Sequence, residues 1–151
     1  MKIFITTVLA IIFLFFGAKV KLVDSTSQEW YGGRYESGRG TDYSLTLKAR
    51  AGSDKLVIDK LWVGEELYEA SALKDFARRT EKSFEKGDTI YVRAGKKLLP
   101  DEQGVMKNVS GKKIKPPKSF SGSALLVYTW KGKQKFLEIK EFRVLEKIIY
   151  P

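Results

Sequence analysis

The chain has 151 residues, with 28 Lys and Arg against 18 Asp and Glu for a formal net charge of +10, and it contains neither His nor Cys. That composition excludes disulfide stapling, cysteine lipidation, and zinc, copper or haem ligation, and it takes away the imidazole that most often does acid–base work at neutral pH. Catalysis would fall to Asp, Glu, Lys or Tyr with strongly shifted pKa values, and a metal would find only hard oxygen ligands, so no cofactor or metal is expected.

Met1-Lys2 leads into residues 3–16, apolar except for Thr6 and Thr7, and then into the small residues Gly17 and Ala18. A positive start, an apolar stretch and small residues are the parts of an export signal, so residues 1–18 read as a signal peptide. Cutting after Ala18 puts Phe16 where a small residue is preferred, which keeps an uncleaved membrane anchor as the alternative. Residues 3–16 would rise about 21 Å as a helix, short of a hydrocarbon core of about 30 Å. An anchor would therefore have to borrow Val20 and Leu22, with Lys19 and Lys21 snorkelling. The length argument favours cleavage. Residues 19–27 then read as a linker and 28–151 as one domain, large enough to bury a core without covalent help.

Strand signals dominate the remainder of the chain. Thr41 to Ala49 alternates, with Tyr43, Leu45, Leu47 and Ala49 on one face, and Ala51-Gly52-Ser53-Asp54 reads as a turn. Leu56 to Val63 is rich in β-branched and aromatic residues, Gly64 breaks it, and Leu67 to Leu73 supplies a hairpin partner. Residues 73–86 are ambiguous: Leu73, Phe76, Ala77, Thr80 and Phe84 are spaced as one helix face, while the charges among them suit a loop. A strand followed by a loop or one short helix is the expectation. Thr89 to Ala94 alternates again, and residues 95–121, rich in Lys, Gly, Pro and Ser, read as one long Lys-rich loop. Ser123 to Trp130, a Lys131-Gly132-Lys133-Gln134 turn and Lys135 to Leu145 form a β-hairpin. Six to seven strands without helix–strand alternation predict an all-β domain, a sandwich of immunoglobulin-like character, with a small barrel as runner-up.

Several strings carry a family resemblance: Gln28-Glu29-Trp30-Tyr31-Gly32-Gly33, Ser37-Gly38-Arg39-Gly40-Thr41, Leu61-Trp62-Val63-Gly64, Phe84-Glu85-Lys86-Gly87-Asp88-Thr89-Ile90, and Leu137-Glu138-Ile139-Lys140 with the Tyr150-Pro151 ending. In these the chain resembles small exported β-rich proteins of Bacteroidota-type bacteria, over most of its length after the leader. The resemblance implies a bacterial source and a periplasmic, outer-surface or extracellular location. It supplies no activity, ligand or catalytic residue.

The residues themselves favour binding over catalysis. Asp59, Glu65, Glu66, Glu138 and Glu141 are candidate acids, but their spacing carries no motif; a carboxylate-dependent hydrolase of polysaccharide or peptide is the alternative function. Ser110-Gly111-Lys112-Lys113 has a Ser-x-x-Lys spacing without the helix start that would hold a nucleophile. Asn108-Val109-Ser110 matches a glycosylation sequon, which matters only in a eukaryotic secretory route. Lys107, Lys112, Lys113, Lys115 and Lys118 in the long loop, with Lys131, Lys133 and Lys135 at the hairpin turn, would make one basic surface if the loop folds beside the turn. Such a surface suits lipopolysaccharide, anionic cell-wall material or extracellular DNA, with an envelope protein as the other partner class. Membrane contact is expected only through an uncleaved N-terminal segment. Trp30 and Tyr31, among glycines, offer rings for stacking on sugars or peptides.

Overall fold

The computed structural model describes residues 18–75 and 82–151. Residues 1–17, and with them nearly all of the expected signal segment, lie outside this range, as do Phe76, Ala77 and Thr80 of the ambiguous stretch. The described chain is all-β. Its strands are β1 (Val20–Tyr31), β2 (Arg39–Ala49), β3 (Leu56–Val63), β4 (Glu66–Glu69), β5 (Ala72–Leu73), β6 (Thr89–Pro100), β7 (Met106–Asn108), β8 (Lys112–Lys113), β9 (Ala124–Trp130), β10 (Lys133–Ile139), β11 (Arg143–Val144) and β12 (Ile148–Ile149). No helix among the described residues is long and apolar enough to cross a membrane.

The strands form two open sheets. The larger runs β11-β1-β2-β6-β5, with β12 also on β1 and β7 also on β6; the smaller runs β10-β9-β3-β4-β8. Neither closes on itself, so the barrel is set aside. One buried cluster draws on both sheets, with Val20, Leu45, Leu47, Ile90 and Val92 from the larger and Leu56, Leu61, Leu126, Tyr128 and Ile139 from the smaller. The alternation in β2 places Leu45, Leu47 and Ala49 in this core. In β6, Ile90, Val92 and Ala94 face inward while Arg93 stays exposed, as the period of two requires.

Two boundaries differ from the sequence reading. Residues 19–27 are not a linker: β1 starts at Val20, which is buried against Ala49, and its pairing with β2 continues to Tyr31. A β-bulge between Leu22 and Asp24 shifts the alternation, which hides the strand from a period-two reading. Val20 and Leu22 pack with the core, so they are spent in the domain rather than lengthening an apolar span.

Residues 95–121 are likewise not one loop. β6 continues through Gly95 to Pro100, β7 returns alongside it, and β8 pairs with β4. Gly95 and two lysines resemble loop chemistry, but β2 offers partners as far as Arg39, and backbone hydrogen bonding carries the strand on. Short turns at residues 101–105 and 109–111 join these strands, and the one longer irregular stretch is residues 114–123. They pass from β8, at one edge of the smaller sheet, towards β9 and β10 at the other, crossing the sheet's outer face. There Trp62, Leu67, Leu125 and Val127 form a second buried cluster beneath Phe120 and Phe136. The Trp62 indole N–H donates to the Ile114 carbonyl at 2.7 Å, and Glu138 Oε1 accepts from the backbone N–H groups of Ser121 and Gly122 at 2.9 and 2.6 Å. The segment is a strap over apolar side chains.

The hairpin is tighter than expected. β9 and β10 are joined by Lys131-Gly132 alone, at φ 49° and 75°, and β10 ends at Ile139. The chain then crosses to the larger sheet, where β11 and β12 run parallel to β1. Asp24 and Arg143 pair there at 2.8 Å.

Candidate functional site

The strands of the larger sheet outreach those of the smaller one, so its inward face has a covered half and an uncovered half. Along β1, β2 and β6 the register aligns Leu22, Leu47 and Ile90, then Ser25, Leu45 and Val92, in the covered half. Two rows further on it aligns Glu29, Thr41 and Lys96, and then Tyr31, Arg39 and Leu98. The same face of the same strands therefore changes from aliphatic to polar and aromatic where the second sheet stops. Solvation explains the loss of Leu and Ile there; it does not require two tyrosines and paired opposite charges.

These uncovered rows, with Tyr43 and Gly40, line an open depression of about 230 Å³. Tyr43 is its floor, half-buried against Tyr68 and Phe142 at ring-centroid distances of 6.0 and 5.1 Å. Burial raises the Tyr43 hydroxyl above its ordinary pKa, and the carboxylates of Glu66 and Glu29 push it further the same way. The wall nearest β4 is a polar cluster. Glu66 accepts from the Tyr68 hydroxyl at 2.5 Å and from the Asn108 side-chain amide, and its other oxygen lies 3.6 Å from the Lys96 ammonium. Burial first, and then the bond to Glu66, raises the Tyr68 hydroxyl strongly, so Tyr68 stays a neutral donor.

Lys96 is thus held by Glu66, whereas the exposed Arg39 has no ion pair among the described residues. The Lys147 ammonium sits 5.3 Å from the Tyr31 ring centre, adding a second cation to the rim. The arrangement offers an aromatic ring, a guanidinium able to take a carboxylate or phosphate in a fork, and carboxylate and hydroxyl groups for sugar hydroxyls. A volume of about 230 Å³ is below the roughly 300–1,000 Å³ of enclosed small-molecule sites. An open depression of this size grips part of a long ligand rather than engulfing a small one.

Of the residues expected to bind, only Tyr31 lies here. Trp30 points to the opposite face, where its ring covers Gly40 and meets Tyr150 edge-on at 6.4 Å. A Cβ at position 40 would stand 2.8 Å from that ring and overlap the Lys96 carbonyl oxygen, so glycine is required where β1, β2 and β6 meet. The eight lysines do not gather into one surface. Lys112 and Lys113 are exposed on β8, at the far edge of the smaller sheet from β10. Lys115 is exposed on the strap, and Lys118 approaches the Phe136 ring at 5.8 Å. Lys107, on β7, pairs with Asp101 at 3.1 Å. Lys131 is the first residue of the hairpin turn, Lys133 opens β10, and Lys135 is half-buried on β10. The topology separates β8 from β10 by three strands, and a loop-beside-turn picture has no means of anticipating that.

The candidate acids are also dispersed. Asp59 sits at the bulge of β3, Glu65 in the β3–β4 turn, Glu138 holds the strap, and Glu141 is exposed beyond β10. Ser110 Oγ accepts from the Lys97 backbone N–H at 2.8 Å and meets Asn108 Oδ1 at 3.1 Å, so the Ser-x-x-Lys spacing is part of a turn. Among the described residues no group of three or more acidic side chains converges to hold a metal ion. Comparison with protein-family models, curated proteins and solved structures finds no match to this chain.

Arg39, Thr41, Tyr43 and Lys96 were within reach of sequence reasoning. Extending the parity of Leu45 and Leu47 backward, and that of Ile90 and Val92 forward past Gly95, places all four on the core-facing side. Polar residues in core parity are the signal that a strand has outrun its cover.

Proposed function

We propose that the chain is an exported, single-domain β-sandwich of immunoglobulin-like character, from the envelope or exterior of a Bacteroidota-type bacterium. On this reading it binds an acidic saccharide and performs no catalysis. Two open sheets over one core support the sandwich, and a chain that passes repeatedly between them supports the immunoglobulin-like character. The binding reading rests on one observation: the core-facing parity of β1, β2 and β6 continues into an uncovered platform carrying Tyr31, Arg39, Thr41, Tyr43 and Lys96. Arg39 takes the acidic group, Tyr31 stacks on a ring, and Glu29 and Thr41 meet hydroxyls. The expected partners, lipopolysaccharide and anionic cell-wall material, fit this chemistry better than DNA, because one guanidinium and the rim ammonium of Lys147, among short polar groups, suit sparse charge.

A hydrolase is the second reading, since Glu29 and Glu66 both act on Tyr43. Glu66 is already bonded to Lys96, Tyr68 and Asn108, which leaves Glu29 to face a substrate without a free partner acid. The test is retention of the full chain on immobilised lipopolysaccharide and on polygalacturonate. Arg39→Ala should weaken retention about ten- to a hundredfold, the loss of a charge-assisted contact, while Lys112→Gln on β8 leaves it unchanged. Equal retention of the Arg39 variant and the parent sinks the proposal, and release of new reducing ends from polygalacturonate shifts it to the hydrolase.

A further inference from the structure

At the opposite end of the domain, where β1 begins, cations gather without carboxylate partners. The ammonium groups of Lys19 and Lys131 stand 4.2 and 4.7 Å from the ring centre of Trp130. The Arg50 backbone N–H donates to the Lys19 carbonyl at 2.8 Å, its guanidinium to the Ala18 carbonyl at 3.4 Å, and the Lys131 N–H to the Lys55 carbonyl at 2.9 Å. Among the described residues none of these cations forms an ion pair.

Two placements of cations at this end run against stability. Lys21 and Lys48 are direct register partners across β1 and β2, and like charges placed opposite one another destabilise a sheet. Lys131 is the one non-glycine residue with positive φ among the described residues, at a turn position that Asn, Asp or Gly occupies with less strain. Local stability explains neither choice; attraction to a negative surface explains both.

When residues 1–18 are kept as the uncleaved anchor, the identity of that surface follows from where the chain enters. Arg50 and Lys19 surround Ala18, and the sequence leading up to it, residues 3–16, is apolar. β1 starts at Val20, so no spacer separates the apolar sequence from the basic end. A tryptophan lies among the cations, and indoles favour the boundary between water and lipid. We propose that this end of the domain docks on anionic phospholipid headgroups. The contact is separate from the saccharide platform, which lies at the Tyr31 end of β1 and faces away from the lipid when the basic end is docked.

The absence of Cys makes the test direct. The full chain is reconstituted into phosphatidylglycerol-containing or pure phosphatidylcholine vesicles with an environment-sensitive dye at Gln134→Cys, beside the hairpin turn, or at Val105→Cys, at the far end. Quenching by a headgroup nitroxide should be strong at 134 and weak at 105 with phosphatidylglycerol, and should fall at high salt. Each cation removed lowers the docked-to-free ratio about fivefold, so Lys131→Gln with Lys133→Gln, both exposed, should lower it about twenty-five-fold while the far-ultraviolet spectrum is unchanged. Equal quenching at the two positions, or in the two lipids, overturns the proposal. Arg39→Ala should leave this quenching intact, so failure of the saccharide reading and failure of lipid docking are told apart.

Discussion

A chain that begins at Gln28 should not fold, whereas one that begins at Ala18 should. Starting at Gln28 keeps only the four β1–β2 register pairs from Gln28 to Tyr31 and loses the seven from Val20 to Ser27, together with the β11 pairing at Thr26 and Ser27. Val20 is 1% exposed, and burying such a side chain contributes about 1.5–3 kcal/mol. Seven strand pairs at a net contribution of roughly 0.5–1.5 kcal/mol per hydrogen bond add about 4–10 kcal/mol. The edge of β2 would also be left unpaired beside Leu45 and Leu47. Such a loss matches the whole stability of an ordinary domain, about 5–15 kcal/mol. Circular dichroism with urea denaturation checks it: a cooperative transition is expected for the Ala18 form and none for the Gln28 form. Val20→Ala in the full chain supplies a graded version, lowering stability by about 2 kcal/mol. A Gln28 form with the sheet spectrum and urea midpoint of the longer one would refute the reasoning.

Acid should weaken the fold through three carboxylates held below their ordinary range: Asp24 by the Arg143 guanidinium, Asp101 by the Val105 backbone N–H and then Lys107, and Glu138 by the N–H groups of Gly122 and Ser121. The unfolded chain takes up these protons at higher pH than the folded one, so the stabilisation is complete above about pH 4–5 and is lost as pH falls through the folded values. Urea midpoints at pH 7, 4 and 2.5 should therefore fall in that order; a constant midpoint contradicts it. Trp62→Phe removes the donor to the Ile114 carbonyl and should cost about 1–2 kcal/mol. Trypsin should then cut the strap at Lys118, the bond after Lys115 being protected by Pro116, before it cuts elsewhere, and an unchanged cleavage order counts against the strap. Lys131→Asn should raise stability by roughly 0.5 kcal/mol by relieving the positive φ while weakening lipid docking; a variant that loses stability removes the argument from strain.

Much of the fold is legible because the core obeys simple periodicities. Leu45, Leu47 and Ala49 alternate with polar neighbours, Leu56 to Val63 is a strand to the residue, and Gly64, at φ 59°, breaks it where a glycine should. What escaped the sequence is long-range or aperiodic. The bulge after Leu22 breaks the alternation of β1, so two-thirds of a strand reads as linker. Gly95, Lys96 and Lys97 have loop composition, yet they are strand because β2 lies beside them with matching hydrogen-bonding groups. Lysine content pointed to Lys131 and Lys133 at the basic end but not to the rest of either surface, because topology sends β8 and β10 to opposite edges and brings Lys19, Arg50 and Lys131 together from distant parts of the chain. Tyr31 and Trp30 are neighbours in sequence and on opposite faces in space, as any two adjacent strand residues are.

The platform on the larger sheet is the centre of the account, and amide chemical shifts during titration with oligogalacturonate test it most directly. Saturable shifts confined to residues 29–31, 39–43 and 96–98 are the predicted result. Shifts centred on residues 131–135, or none at any saccharide concentration, would contradict it.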